Sequence, residues 1–202
     1  MVDDLELLAA WRAGDVSAGE ALFSRHFAAV ARFFRNKIDG DIEELIQRTF
    51  LGCLEGQHRF TGAGSFRGFL FGIARNILFN ALRELKRGRE VNLAELSIHD
   101  LGPTPSAVAA RCEEEQLLLA ALRRLPLQYQ IVLELSFWED MTHADVAEAL
   151  AIPVGTASTR LRRARQLLTE QLQVLASTPA LGVAVSVGFE TWARSLRAQI
   201  VP

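Results

Sequence analysis

Residues 142–172 read THADVAEALAIPVGTASTRLRRARQLLTEQL, from Thr142 to Leu172. Val146, Ala147 and Leu150 recur at helical spacing, so the stretch opens with a short amphipathic helix. Thr142 and Asp145, three residues apart, have the spacing of a capping box. Pro153 cannot extend that helix and drives Ile152 toward an extended backbone. Gly155 is expected to allow close packing or an unusual backbone angle at the turn. A second helix follows. At about 100° per residue, Ala157, Leu161, Ala164, Leu168 and Leu172 fall on one stripe. Thr156, Thr159, Arg162, Arg163 and Gln166 fall opposite, with Arg160 and Arg165 on the flanks. Two helices joined by a tight turn, the second one basic, outline a DNA-binding helix-turn-helix. Residues near the start of such a helix reach base edges, which points to Thr156, Thr159, Arg162 and Arg163 for readout. Arg160 and Arg165 suit phosphates.

A chain of 202 residues, 50% hydrophobic, can form one large domain or two small ones with a proper core. The net charge of −2 does not mark a nucleic-acid binder, but the basic residues are clustered. RELKRGR occupies 83–89 and RLRRAR 160–165, balanced by acidic runs such as Glu113-Glu114-Glu115. Cys53 and Cys112 lack CxxC or CxxH spacing and read as reduced, packed thiols of a cytosolic protein. The scattered histidines suggest no metal site, and no motif calls for a cofactor. No signal-peptide pattern opens the chain, and no apolar run approaches the ~20 residues that span a bilayer. No nucleophile–base pair, carboxylate dyad or metal cluster supports an enzyme.

Residues 3–35 read as two helices broken at Gly14-Asp15, with Leu5, Leu8, Leu22, Phe23, Phe27, Val30 and Phe34 at three- and four-residue intervals. In residues 41–56, Asp41 with Glu44 is a second helix-start signature. Ile42, Leu45, Ile46, Thr49, Phe50 and Cys53 make its buried side, against Glu44, Gln47, Arg48, Leu51 and Glu55. Leu51, apolar on a charged face, is compatible with protein binding. After a glycine-bearing loop at 57–66, a long helix is expected from Arg67 to Arg87. Its apolar side is Leu70, Ala74, Ile77, Leu78, Ala81 and Leu85; Asn76, Asn80, Arg83 and Arg87 line the other. Amides can pair with base edges and arginines with phosphate. Phe60 and Phe66, in the loop, are candidates to stack unpaired bases. Residues 88–105 lack periodicity and contain Gly102-Pro103-Thr104-Pro105, the best linker candidate. Helices are expected over 106–125 and 127–138. The fold class is therefore all-α: two small helical domains joined by a flexible linker, the second a helix-turn-helix.

Leu125-Pro126-Leu127, then the helix pair, then Val154-Gly155-Thr156 and Ser158 through Arg165 resemble the C-terminal domain of the extracytoplasmic-function (ECF) sigma factors. Asp41 to Phe50 and Phe69 to Arg83 resemble two helices of that family's N-terminal domain. The resemblance divides the chain into residues 1–90, which bind core polymerase and the minus-ten element, a linker over 91–107, a minus-thirty-five-binding domain over 108–175, and an extension over 176–202. It implies a cytoplasmic initiation factor with core RNA polymerase and promoter DNA as partners. Ser158 joins the minus-thirty-five residues and Arg75 the minus-ten residues. Asp41, Glu44, Gln47, Arg48 and Leu51 would dock on the large polymerase subunit. Restraint by an anti-sigma protein, or by a fused C-terminal extension such as residues 177–202, is also implied. Arg48 and Asn80 stand where the family has acids, Phe69 where it has tryptophan, and Gln130 where it has arginine. The alternative is a free-standing helix-turn-helix regulator, which has no need of the Asp41 helix or of the amide and arginine stripe.

Overall fold

The computed structural model describes residues 2–38, 40–58, 60, 62, 64–86, 95–101, 113–179, 181–183, 185, 186 and 188. Every element named among the described residues is helical. The N-terminal half contains α1 (Asp4–Arg12), α2 (Val16–Arg35), α3 (Glu43–Gly56) and α4 (Phe66–Leu85). The C-terminal half contains α5 (Glu113–Arg124), α6 (Leu127–Leu133), α7 (His143–Leu150) and α8 (Val154–Leu175).

Local chemistry sets these boundaries. Asp15 starts α2 by accepting hydrogen bonds from the backbone N–H groups of Ser17 and Ala18. Ser65 does the same for Gly68 at 3.0 Å, so α4 begins at Phe66, one residue earlier than expected. At α3 the expected Asp41–Glu44 box does not form: Asp41 accepts from the Glu43 N–H at 2.8 Å, and the cap position falls to Ile42. The Thr142–Asp145 box does form, in both directions. α7 ends in a Schellman motif, with the Ile152 N–H bonded to the Ala147 carbonyl and the Ala151 N–H to that of Glu148, both at 3.0 Å. Ala151, not Gly155, takes the left-handed backbone there, at φ 52°. Gly155 lies inside the first turn of α8, behind Pro153 at its N-cap.

The helix expected over 127–138 changes character midway. α6 stops at Leu133, and Glu134–Trp138 forms a π-helical turn. Its i→i+5 bond, from the Glu139 N–H to the Glu134 carbonyl at 3.1 Å, brings these two glutamates onto one side.

Part of the expected linker is anchored. Ile98 is fully buried, Ser97 bridges to Pro126, and the Leu127 N–H donates to the Leu96 carbonyl at 2.7 Å. Leu96, Ser97 and Ile98 are all buried, and Ile98–Leu101 forms a single 3-10 turn, too short for a search for α-helical spacing to find. Residues 87–94 and 102–112, including the Gly-Pro-Thr-Pro stretch, Arg87 and Cys112, lie outside the described residues. Beyond α8 the chain folds back onto it: Val185 is buried, and the Ser186 and Thr169 hydroxyls lie 3.1 Å apart. The rest of the expected extension, from 189, is outside the described residues.

The halves dock on each other, chiefly α4 against α7. Gly64, Gly68 and Gly72, four residues apart, form the notch that admits α7. A Cβ on Gly64 or Gly68 would collide with the Glu148 carboxylate, and one on Gly72 would sit 3.7 Å from the Ala149 carbonyl oxygen.

Candidate nucleic-acid interface

α8 carries the first surface. Ala157, Leu161, Ala164, Leu168 and Leu172 are all buried against the C-terminal half. That anchoring leaves Thr156, Thr159, Arg162 and Arg163 exposed along the opposite face. With Gln128 and Tyr129 of α6 they border one shallow groove. Thr159 donates its hydroxyl to the Gly155 carbonyl at 2.9 Å. Ser158 is half-buried, donates to the Val154 carbonyl and lies 3.2 Å from a His143 ring nitrogen, so it braces α8 on α7. Arg163 is held lightly, 3.5 Å from the Gln166 side chain and 3.8 Å from Glu170. Arg165 is exposed, with its guanidinium 4.7 Å from the centre of the Phe137 ring.

α4 carries the second surface. Asn76, Asn80 and Arg83 are exposed on one side, while Leu70, Ala74, Ile77 and Leu78 are buried on the other. Arg83 donates to the Asn80 amide oxygen at 2.9 Å, and Arg75 to that of Asn76 at 3.0 Å. Arg75 is half-buried over the Phe79 ring. Burial, with repulsion from Arg160 of α8, holds its guanidinium below the usual arginine range. Leu85, expected in the core, is exposed, and Leu82 is buried instead.

The loop before α4 departs from expectation. Phe60 is only 6% exposed and Phe66 only 2%. Phe60 packs on Phe69, Phe66 on His26, and Arg12 pins the loop by donating to the carbonyls of Gln57 and Phe60. Both phenylalanines are core side chains here, and neither offers a face to a base. Loop position suggested exposure, but two such rings beside a small helical core bury more favourably than they hydrate.

On α3, Glu44, Gln47, Arg48 and Leu51 are exposed, and Leu54 joins Leu51 as a second outward apolar residue. Arg48 reaches Glu44 at 3.9 Å. Asp41 is also exposed. Cys53 lies beneath this face, its thiol pushed up to about 12 by burial, and is chemically inert. Among the described residues no group of His, Cys, Asp or Glu could hold a metal ion, and no helix is long and apolar enough to cross a membrane.

Between the surfaces lies a charged seam that sequence reading missed. Arg32 of α2 forms a bidentate pair with Glu139, at 3.0 and 2.9 Å, and Arg67 reaches the same carboxylate at 3.5 Å. Lys37 pairs with Glu134, which also accepts from Asn36 at 2.8 Å and Gln130 at 2.9 Å. Burial holds the Lys37 ammonium below its usual range, against the pull of Glu134. The Ser65 N–H donates to Glu148 at 3.0 Å. Burial, opposed by that bond and joined by repulsion from Asp145, raises the Glu148 carboxyl. The four-residue glycine spacing was the one local signal for this seam.

Comparison with known proteins agrees with the two-part layout. The family model "Sigma-70 region 2" matches residues 22–88, and "Sigma-70, region 4" matches residues 115–168. The chain is 32% identical over 177 residues to ECF RNA polymerase sigma factor SigM of Mycobacterium tuberculosis, covering 85% of this chain and 86% of the relative. It is 30% identical over 145 residues to RNA polymerase sigma factor HrpL of Pseudomonas syringae pv. syringae, covering 70% and 79%. A solved structure of CnrH, in complex with the cytosolic domain of CnrY, shares the fold with a TM-score of 0.62, at 24% identity over 86% of this chain and 99% of that one.

Proposed function

Because the chain belongs to the ECF sigma factors, transcription initiation factors that direct RNA polymerase to promoters, we propose that its two halves divide promoter reading between them. The C-terminal half, α5 to α8, reads the minus-thirty-five element through the major groove. The observation that carries this assignment is the outward face of α8, where Thr156, Thr159, Arg162 and Arg163 stand exposed on a helix whose other side is wholly buried. Arg162 and Arg163 suit guanine edges, and Arg160 and Arg165 suit flanking phosphates.

The N-terminal half, α1 to α4, takes the minus-ten element on the α4 stripe of Asn76, Asn80 and Arg83, with Arg75 at its edge. Phe60 and Phe66 support that stripe from the core. The exposed α3 face of Asp41, Glu44, Gln47, Arg48 and Leu51, extended by Leu54, docks on core polymerase. The protein works by binding, in the cytoplasm where polymerase and promoter meet. The neighbouring structure holds CnrH against the cytosolic domain of CnrY, and a restraining protein partner belongs to this proposal too. A free-standing regulator gives way to this reading, because the region 2 match accounts for an N-terminal half that such a regulator would not need.

Co-purification with core polymerase, followed by transcription from a matched promoter, tests the proposal. Association should be retained by Arg162→Ala and lost by Leu51→Asp. Tight binding to duplex promoter by the purified chain, with no association with core enzyme, would sink it.

A further inference from the structure

Most of the paired charges across the seam are sorted by sign, although Arg123 of α5 also reaches across it, donating to the Asn36 carbonyl at 3.4 Å. The N-terminal half supplies Arg32, Lys37 and Arg67; the C-terminal half supplies Glu134, Glu139 and Glu148. Among the described residues, the carboxylates paired with Arg32 and Lys37 all belong to the C-terminal half. Arg32 and Lys37 are 7% and 3% exposed, so separating the halves would leave two formerly buried cations needing new anionic or aqueous partners.

The proposed division of promoter reading, on which this inference rests, requires that separation. Elements centred near minus ten and minus thirty-five lie roughly 25 base pairs apart, on the order of 80 Å of duplex at about 3.4 Å per pair. With α7 seated in the glycine notch of α4, the two reading helices both pack on α7, and the docked chain cannot span that length. When the C-terminal half moves away, Glu134 and Glu139 leave with it.

We infer that Arg32, Lys37 and Arg67 form a phosphate-binding surface for promoter DNA, which the carboxylates of Glu134 and Glu139 occupy while the halves are docked. Carboxylate and phosphodiester oxygens present the same acceptor geometry to a guanidinium fork, and Arg32 already holds Glu139 through two parallel bonds. Lys37 is preorganised without its glutamate. Its ammonium donates to the Phe33 carbonyl at 2.7 Å and sits 4.2 Å from the Phe33 ring centre, both within α2's own half. Arg67 lies in the first turn of α4, and the Ser65 N–H that precedes it is also bonded to a C-terminal carboxylate. The surface thus adjoins the helix assigned to the minus-ten element. It would hold the backbone of the opened strand and fix its register without reading bases.

The full-length chain can be tested with a labelled, mixed-sequence single-stranded DNA of roughly twelve nucleotides, within the range such surfaces cover. Glu134→Gln/Glu139→Gln should bind it on the order of tenfold more tightly than the unaltered chain. Its logarithmic salt dependence should steepen by about 1.4, the value for two added phosphate contacts on single strands. Adding Arg32→Gln/Lys37→Gln to that variant should return affinity to near its starting value. No gain in the first variant, or a gain that survives in the second, overturns the inference. Holoenzyme supplies a readout that does not depend on variants opening by themselves: Lys37→Gln should shorten promoter-complex lifetime severalfold while core association stays unchanged. An unchanged lifetime also overturns it. Failure of the unaltered chain to bind core polymerase would instead strike the proposed function, and the single-strand measurements would still report on the surface.

Discussion

Helices α4 and α8 carry similar stripes of amides, hydroxyls and arginines, but the protein presents them differently. α8 is finished: its apolar side is buried within its own half, and Thr156, Thr159, Arg162, Arg163 and Gln166 on its polar side face solvent. α4 is engaged. Its glycine notch holds α7, Arg75 is half-buried beside Arg160, and the loop ahead of it is closed by Phe60, Phe66 and Arg12. The comparison teaches that two exposed polar stripes can differ in what packs beside them: only α4 carries a neighbouring helix in a notch along its length. Under the proposed division of promoter reading, the α8 face is free as it stands, whereas the α4 notch is filled by α7.

The sharpest way to break that contrast is at Phe66. Phe66→Ala should destabilise the chain by about 3–5 kcal/mol in urea unfolding, the cost of deleting a buried aromatic. A loss below about 1 kcal/mol would return Phe66 to the role of an exposed base-stacking residue. Arg162→Ala should do the opposite. Discrimination at one minus-thirty-five position should fall by about 1–3 kcal/mol in holoenzyme binding, with the thermal midpoint of the free chain unchanged. Unaltered preference would mean that α8 does not present Arg162 to bases.

Thr142→Ala should cost about 1 kcal/mol of stability by removing the cap that starts α7, the helix seated on α4. The smallest effect is on pH. Burial would raise the Asp145 carboxyl, but bonds from Ser65 and Thr142, with the charge of Arg67, outweigh it and hold it below its ordinary value. Its contribution is therefore complete above that ordinary value and is lost as pH falls through the lowered one. Thr142→Ala should lose part of this acid-side dependence in thermal melts, and an identical dependence in both proteins would assign the shift to the Ser65 contact instead.

The helix-turn-helix was legible because its determinants are local. The Thr142 cap, the proline after α7 and the α8 stripe each act within a few residues, and each is found where spacing placed it. Gly155 misled because glycine permits a left-handed backbone without requiring one; the Schellman bonds placed that conformation on Ala151. Leu85, placed on the buried stripe, is exposed because the last residues of α4 project past the packed core, whereas Leu82 packs into it. On the α3 face, helical spacing singled out Leu51 as an apolar residue on the charged side, and the structure adds Leu54 as a second outward one.

The sequence by itself determined the all-α class, the helix-turn-helix in the C-terminal half and the identity of the two polar stripes. These follow from side-chain periodicity and capping, which operate over one or two turns. Only the tertiary structure decided that the loop phenylalanines are core, that residues 95–101 are anchored, and that Arg32 and Lys37 meet Glu139 and Glu134 across about a hundred residues of chain. Complementary charges in sequence do not reveal their pairing. That pairing exists because the α4 glycines let α7 approach closely, and because one π-helical turn sets Glu134 and Glu139 side by side facing α2.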